Sequence, residues 1–282
     1  MSTELLRYAA FTERNRGGNP AGVVLDARDM TDVDMQRIAA EIGYSETAFV
    51  RPGQDPDRFV VRYFSPLAEV DFCGHATIAT AVAMAERRGP GSVIFQTPVG
   101  EVPVETRLDK AGELLATLTS APTQTRPVEP DVLDAALAAL VWHHDDLHPA
   151  FPPHVGFAGN QHLLLGALTR DRLARLDYDF AALGSLMARE RWTTVHLFWR
   201  EGPTDFHVRD PFPPGGVVED PATGAAAAAF GGYLRSRGLV EGEPVVTLRQ
   251  GVDMGSPSLL RVDLSTPGGR IAVTGTASVI AS

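Results

Sequence analysis

The sequence has almost no cysteine, since Cys73 is the only one among 282 residues. One thiol excludes a disulfide framework and a zinc site built from several thiolates. The chain also lacks any run of about 20 apolar residues, the length that a membrane-spanning helix needs. Its first residues, MSTELLRYAAFTERNRGGNP, carry charges throughout, which is not typical of a secretory signal. We therefore expect a cytoplasmic protein with no membrane partner.

Several common binding motifs are missing as well. The sequence has no Gly-x-Gly-x-x-Gly segment after a strand, no Walker loop and no Gly-x-Ser-x-Gly elbow. Nicotinamide, nucleoside triphosphate and serine-hydrolase chemistry therefore have no support. The chain carries 25 basic against 35 acidic residues, a formal net charge of -10. Nucleic acid is not an expected partner, because phosphate binding needs clustered Lys and Arg.

Apolar material is plentiful. Hydrophobic residues make up 44% of the chain and charged residues 21%, which is typical of a globular protein with a sizeable core. The length of 282 residues indicates two ordinary domains or one large one. A Pro-rich polar stretch, Pro122 to Asp131, is predicted to be a linker.

The segment before Gly43 has the signals of an ordinary helix. Thr31 can cap its start, with Asp34 three residues further on, and Gly43 fits a left-handed stop. Two further amphipathic helices are predicted near Val132 to Leu140 and near Phe180 to Arg189.

Two other predicted helices carry small, apolar side chains on nearly every side. The first, GHATIATAVAMAERRG, begins at Gly74 and keeps its charges at the carboxyl end, where they suit the helix dipole. The second lies in EDPATGAAAAAFGGYLRSRG, with Gly238 as its stop. A helix that is apolar all round must be surrounded by other elements. Strand-like runs flank both, so each half is predicted to be several strands curled around one buried helix.

Polar residues stand where each of these two helices begins. Cys73, Gly74 and His75 precede or open the first helix, and exposed amides at a helix start bind anions. The alternative is a buried cysteine that packs as a small hydrophobe, beside a histidine that caps the helix. At the second helix, Asp220 precedes Thr223 and Gly224, which can equally be ordinary capping chemistry. Two such starts facing one cleft would form a pocket for a small carboxylate.

Glu46 is unusual because it opens an apolar strand-like run, GYSETAFV. It either faces solvent on an edge strand or lines a cleft, where it can exchange a proton. The cluster of His143, His144, Asp145, Asp146 and His148 looks at first like a metal site. Adjacent residues seldom converge on one ion, so a polar loop is predicted there and no metal.

Five motifs, in order along the chain, resemble the PhzF-like phenazine-biosynthesis isomerase family. They are GGNPAGVVLD, SETAFV, RYFSPLAEVDFCGHATIATA, EDPATGAAAAAFGGYL and RQGVDMGSPSLL. The resemblance implies an α+β fold of two similar domains, each a curled, mostly antiparallel sheet around a central helix, as in diaminopimelate epimerase. It implies a first domain of residues 1–121 that residues 266–282 rejoin, and a second domain of residues 122–265. It further implies a homodimer and an isomerase that uses no cofactor and no metal.

The same resemblance assigns roles to residues. It implies that Glu46 is the acid and base, supported by His75 and Asp220. It also implies that Asn19, Cys73, Gly74, Thr223, Gly224 and Ala225 shape the pocket for a small anionic carboxylate. The expected reaction moves a proton between two carbon atoms of that substrate, and one carboxylate can serve as both base and acid.

Two departures concern the substrate. The phenazine enzyme has serine where this chain has Ala225, and many relatives have arginine where it has Ser256. Phenazine chemistry itself is therefore not predicted. Two alternatives stay open: an amino-acid racemase or epimerase that uses Cys73 with a second base, and a non-catalytic protein that binds a small molecule.

Overall fold

The computed structural model describes residues 4–240, 242 and 244–281. Its strands are β1 Leu6–Ala10, β2 Asn19–Val24, β3 Glu46–Pro52, β4 Arg58–Phe64, β5 Glu69–Val70, β6 Ser92–Thr97, β7 Gly100–Leu108, β8 Leu114–Thr119, β9 Gln124–Pro127, β10 His154–Phe157, β11 Gln161–Gly166, β12 Trp192–Arg200, β13 Asp205–Phe212, β14 Val217–Asp220, β15 Val245–Gln250, β16 Ser258–Asp263, β17 Ala272–Gly275 and β18 Ala277–Val279. Its α-helices are α1 Asp32–Ile42, α2 Gly74–Arg88, α3 Pro130–Leu140, α4 Arg170–Ala174, α5 Phe180–Glu190 and α6 Gly224–Arg237. None of the described helices is long and apolar enough to cross a membrane.

The chain divides into two compact units. The first runs to Thr119 and includes the residues from Thr274 onward, and the second is Ser120–Val273. The sequence prediction had put these boundaries at residues 121 and 266.

The first unit is a curled sheet around α2. Its strands pair in the order β18, β1, β2, β3, β4, β6, β7, β8, and only the β2–β3 and β4–β6 pairs are parallel among these. Helix α2 packs against β1, β2, β3, β7 and β8, and every residue from His75 to Ala85 is buried. The sequence predicted this buried helix correctly, because its small side chains leave no face suited to water.

The second unit repeats this arrangement. Its strands pair in the order β9, β10, β11, β12, β13, β15, β16, with parallel pairs at β11–β12 and β13–β15. Helix α6 packs against β9, β10, β11, β12 and β16. A side chain on Gly231 would place its Cβ 2.7 Å from Cγ1 of Val262, so this helix needs glycine to approach the sheet so closely.

In both units, the parallel steps cross over through helices. In the first unit, the chain passes from β2 to β3 through α1 and from β4 to β6 through α2. In the second unit, α4 and α5 lie between β11 and β12, and α6 lies between β13 and β15. The second unit has a further hydrophobic core, apart from the packing of α6, where α3 and α5 pack together with β12. The fold is therefore α+β, with two similar, mostly antiparallel units.

The predicted helix ends agree with the structure. Thr31 and Asp34 form a reciprocal capping box at the start of α1, and Gly43 ends that helix with a φ of 70°. Gly238 likewise ends α6 in the left-handed region. Helices α3 and α5 lie within two residues of their predicted bounds. The short helix α4, which Thr169 caps, was not predicted.

The prediction of a linker at Pro122 to Asp131 is wrong. Residues Gln124–Pro127 form β9, which pairs with β10, and Pro130 opens α3. Strand β9 ends with one proline, Pro127, and a proline is tolerated in a strand where its missing N–H is not needed for a ladder bond. Proline in the first turn of a helix costs nothing, because that N–H has no partner in the helix.

Candidate active site

Four segments of the first unit each have one end at the same edge of its sheet. Strands β2 and β3 run parallel and pair Ala21 with Glu46, so both begin at this edge. Strand β4 runs the other way and ends there, since Thr47 pairs with Phe64. After the short β5, the chain enters α2 through Cys73. This topology brings Asn19, Glu46, Cys73, Gly74 and His75 to one place.

Glu46 is the most accessible of the three chemically active side chains there. Its carboxylate oxygen Oε2 lies 3.4 Å from Nε2 of His75 and accepts a 3.5 Å hydrogen bond from the thiol of Cys73. The Glu46 side chain is 16% exposed and that of His75 is 6% exposed. The carboxylate is therefore half-buried, and it does not face solvent on an edge strand.

His75 is held by the beginning of β2. Its Nδ1 lies 3.1 Å from Nδ2 of Asn19, and the carbonyl of Pro20 also hydrogen-bonds the ring. Burial lowers the pKa of His75 below its usual value, against the opposing effects of the Glu46 carboxylate and the Pro20 carbonyl. At neutral pH the ring is therefore uncharged. The hydroxyl of Ser45 lies 3.4 Å from Nε2.

Cys73 is the residue that precedes the first turn of α2, and it is 7% exposed. Its carbonyl accepts hydrogen bonds from both the amide and the hydroxyl of Thr77, at 3.0 and 2.7 Å. The Thr77 hydroxyl in turn lies 2.6 Å from that of Tyr63 on β4. Because these bonds fix the first turn of α2, they also fix the thiol, whose Sγ lies 3.3 Å from Nδ1 of His75.

Sequence reasoning missed Tyr63 and Thr77. Tyr63 lies in an apolar strand and Thr77 in an apolar helix, so both looked like core residues. The available signal was the spacing of four residues between Cys73 and Thr77, at which a threonine hydroxyl reaches back to a carbonyl.

The second set of predicted residues lies in the second unit, at the start of α6. Thr223 donates a hydrogen bond from Oγ1 to Oδ2 of Asp220 at 2.6 Å. Gly224 and Ala225 are the first two residues of the helix. Gln250, which sequence reasoning missed, is fully buried: its Nε2 donates to the Asp220 carbonyl at 2.7 Å, and its Oε1 accepts from the amide of Thr223 at 3.0 Å.

The histidine-rich stretch forms an exposed surface segment. His144 pairs with Asp134 at 2.7 Å, and both side chains are 65% exposed. Among the described residues, one group of three His, Cys, Asp or Glu side chains brings its ligand atoms within 4.8 Å of one another, and it consists of Glu46, Cys73 and His75.

The architecture defines the class of the protein first. A curled sheet around a central helix, present twice, is the diaminopimelate epimerase-like fold, which is shared by racemases and epimerases of very different sequence. The family follows from the sequence itself. Residues 8–282 match the family model PhzC-PhzF, described as phenazine biosynthesis-like protein, and the chain belongs to this family.

Named relatives agree with this assignment. The isomerase YfhB of Bacillus subtilis is 32% identical over 97% of this chain and 95% of its own. The trans-2,3-dihydro-3-hydroxyanthranilate isomerase of Pseudomonas fluorescens is 32% identical over 89% of this chain and 86% of its own. A crystal structure of a PhzF-family phenazine biosynthesis protein from Bacillus anthracis has a TM-score of 0.86 at 26% identity, covering 100% of this chain and 98% of that one. The protein is an isomerase.

Proposed function

We propose that this isomerase moves a proton between two carbon atoms of a small carboxylate-bearing substrate, and that Glu46 carries the proton. In this reaction the carboxylate removes a proton from one carbon and becomes a carboxylic acid. It then returns the proton to another carbon, while the double bonds of the substrate shift. One group serves as base and then as acid, so the reaction needs no second titrating residue.

The position of Glu46 is the observation that carries this proposal. Its Oε2 lies 3.4 Å from Nε2 of His75 at the beginning of α2. Because the His75 ring is uncharged at neutral pH, it does not neutralise the carboxylate as a permanent ion-pair partner would. The carboxylate thus stays available to accept a proton from carbon, and the neighbouring imidazole steadies its orientation.

The start of α2 supports a carboxylate-bearing substrate. The first N–H groups of a helix have no partner within it, and the helix dipole favours negative charge at that end. No acidic residue lies in the first turn of α2 to compete for this position. The same amides stabilise the negative charge that develops when a proton leaves carbon. The Pseudomonas fluorescens relative is named for an anthranilate, which is itself a carboxylate.

A racemase that uses Cys73 and Glu46 on opposite faces of one carbon is a weaker candidate. Two such bases must each reach the carbon from its own side, so their reacting atoms lie roughly 6 Å apart, twice the usual hydrogen-bond reach. Sγ of Cys73 and Oε2 of Glu46 are 3.5 Å apart. That separation leaves no room for a carbon atom between them, which favours a single-carboxylate mechanism.

We also propose a supporting role in the reaction for Asp220. Its carboxylate is buried and accepts a hydrogen bond from Thr223, so its orientation is fixed before any substrate binds. A fixed carboxylate can hold a polar group of the substrate through a charge-assisted hydrogen bond.

The test is solvent deuterium exchange into a panel of small unsaturated carboxylic acids, including trans-2,3-dihydro-3-hydroxyanthranilate. Wild-type protein should incorporate deuterium into at least one of them. Glu46→Gln should abolish incorporation, because the amide keeps the shape of the side chain but cannot accept the proton. Glu41→Gln, at an exposed position on α1, is the matched control and should exchange at the wild-type rate. Full exchange by Glu46→Gln would overturn the proposal, and substrate binding without exchange in wild type would favour a binding protein.

A further inference from the structure

The two ring nitrogens of His75 face different partners. Nδ1 lies 3.1 Å from Nδ2 of Asn19 and 3.3 Å from Sγ of Cys73. Nε2 lies 3.4 Å from Oε2 of Glu46 and 3.4 Å from the hydroxyl oxygen of Ser45. Which nitrogen carries the hydrogen therefore decides what the ring presents to the Glu46 carboxylate.

The hydrogen bond at Nδ1 decides between the two forms of the ring. An uncharged imidazole has one N–H that donates and one nitrogen that accepts, and the partner of one nitrogen fixes the form. The amide nitrogen of Asn19 can only donate, so Nδ1 accepts and the hydrogen lies on Nε2. The reverse form would turn the lone pair of Nε2 toward the Glu46 carboxylate, with no hydrogen between two acceptors. Both sides of the ring thus favour the Nε2–H form.

The carbonyl of Pro20 is the competing partner of the ring, because a carbonyl only accepts. Were it to take a hydrogen from Nδ1, the Asn19 amide would have to turn its nitrogen away. Nε2 would then face Glu46 without a hydrogen. The two arrangements differ in one observable, which is the nitrogen that carries the hydrogen.

Asn19 is well placed to act as a fixed donor. It is the first residue of β2, its backbone pairs with Ala10 on β1, and it is 2% exposed. The amide therefore projects from a strand of the sheet, and little water reaches it to compete for the bond to Nδ1.

The Nε2–H form also distinguishes the two carboxylate oxygens of Glu46. Oε2 lies beside Nε2 and accepts the thiol hydrogen of Cys73, since Asn19 already occupies the lone pair of Nδ1. Among the described residues, none donates a hydrogen bond to Oε1. Oε1 is therefore the oxygen left to remove a proton from carbon, while the donors at Oε2 stabilise the charged, basic form of the side chain.

We propose that Asn19 is a positioning residue that holds His75 in the Nε2–H form, and that Oε1 of Glu46 carries the proton in the reaction. The amide acts through the ring and not on the substrate. An Nδ1–H ring would present a lone pair to Glu46 and hold it as the carboxylic acid, which cannot act as a base. The form of the ring is independent of the proposed function, whereas its effect on catalysis rests on that function.

The experiment is NMR of the full chain labelled with ¹⁵N-histidine, at neutral pH. Two-bond correlations between the carbon-bound ring hydrogens and the ring nitrogens show which nitrogen carries the hydrogen. The signals of His75 are those missing from His75→Gln. Wild type should show the Nε2–H form. This result needs no substrate and no activity, so it remains valid if no acid exchanges deuterium.

Asn19→Asp replaces the donor by an acceptor of nearly the same shape. It should place a hydrogen on Nδ1 of His75, because a carboxylate can only accept. Asn160→Asp, in the segment between β10 and β11, makes the same chemical change elsewhere and should leave the His75 signals as in wild type. Circular dichroism checks that each variant is folded.

The catalytic effect is measured as kcat and KM for deuterium exchange. Asn19→Asp should lower kcat about 10-fold or more, the size expected when a hydrogen bond to a charged group is lost, and leave KM near its wild-type value. Asn19→Leu adds no buried charge and should also lower kcat rather than raise KM. His75→Gln keeps an N–H near the position of Nε2 whatever its neighbour is, so in that background either substitution should cost little further activity.

A hydrogen on Nδ1 in wild type would overturn the proposal, as would a folded Asn19→Asp that keeps the Nε2–H form. If Asn19 only shapes the pocket, its variants will raise KM and leave the His75 signals unchanged. An equal loss of kcat with and without His75→Gln would also contradict a role that acts through the ring. If wild type has the Nε2–H form but no acid exchanges deuterium, the assignment of the ring stands and the proposed function fails.

Discussion

Thr223 donates a 2.6 Å hydrogen bond to the carboxylate of Asp220, three residues before it. Gln250 supports the same pair from a neighbouring strand, through the carbonyl of Asp220 and through the amide and hydroxyl of Thr223. The carboxylate therefore takes its orientation from side chains as well as from its own strand. This makes Thr223 a positioning residue for the proposed role of Asp220.

Replacing Thr223 by valine should lower activity more than replacing it by serine. Valine has nearly the same shape but cannot donate to Asp220, so the carboxylate loses its orientation and a hydrogen bond to a charged group worth about 1.5–3 kcal/mol. Serine keeps the hydroxyl. The measurement is kcat and KM in the deuterium-exchange assay, together with the free energy of unfolding in urea.

A purely structural role for Thr223 would appear as equal catalytic constants in the two folded variants. In that case only the free energy of unfolding would separate valine from serine. If Asp220 takes part in the reaction, Asp220→Asn should itself reduce exchange, and adding Thr223→Val to it should cost little further activity, because the two residues act as one unit.

A second prediction concerns stability in acid. His162 is fully buried on β11, near Thr194, Asp210 and His196, and its Nδ1 lies 2.8 Å from the Thr194 hydroxyl. Burial, aided by the nearby His196, lowers the pKa of His162 to about 3. The unfolded chain has an ordinary histidine there, with a pKa of about 6.5.

The sign follows from proton uptake. Between pH 6.5 and 3 the unfolded chain binds a proton at this position and the folded protein does not, so the free energy of unfolding falls as the pH falls. One such group contributes a slope of up to about 1.4 kcal/mol per pH unit. His162→Asn should reduce the slope by that amount, measured by urea unfolding across this range.

His75 acts in the same direction, because its pKa is also lowered, so the variant should keep part of the acid sensitivity. His143→Asn, at an exposed position, is the control for the chemical change of histidine to asparagine. An unchanged slope in folded His162→Asn would mean that this histidine does not drive the loss of stability in acid.

A third prediction concerns Gly43, which ends α1 three residues before Glu46. Its φ is 70°, and a Cβ there would meet no atom within 4 Å, so only backbone strain opposes a side chain. Gly43→Ala should cost about 1 kcal/mol of stability, equivalent to a fall of about 2–4 °C in Tm. Calorimetry measures the change.

Asparagine tolerates this left-handed conformation better than alanine, so Gly43→Asn should cost less. Equal losses for the two substitutions would show that the conformation at this position is not what limits stability.

The sequence was most informative where local chemistry decides the structure. Thr31 with Asp34, and Gly43 with Gly238, mark helix ends through bonds made within a few residues. The two buried helices could be predicted because each carries small, apolar side chains on nearly every side. The same local reasoning failed at Gln124–Pro127, where prolines suggested a linker and pairing with β10 makes a strand instead.

The geometry of the site depends on long-range contacts that no local pattern contains. Glu46 and Cys73 were identified individually, but their 3.5 Å separation arises from the pairing of β2 with β3 and of β3 with β4. Tyr63 and Gln250 were missed because each lies in an apolar strand. The hydrogen-bond partners of their polar groups come from other parts of the chain and are visible only in the folded structure.

The pairing of β1 with β18 joins Tyr8 to Val279, so β1 cannot complete its pairing until β18 has been synthesised. During synthesis, the residues up to Val279 must leave the ribosome before this edge of β1 is covered. Until then, β1 presents unpaired backbone groups that other nascent chains can join. The strands of the second unit from β9 to β16 are synthesised before β18, so they can pair earlier. Deletion of β18 should therefore destabilise the first unit, because it uncovers this edge of β1.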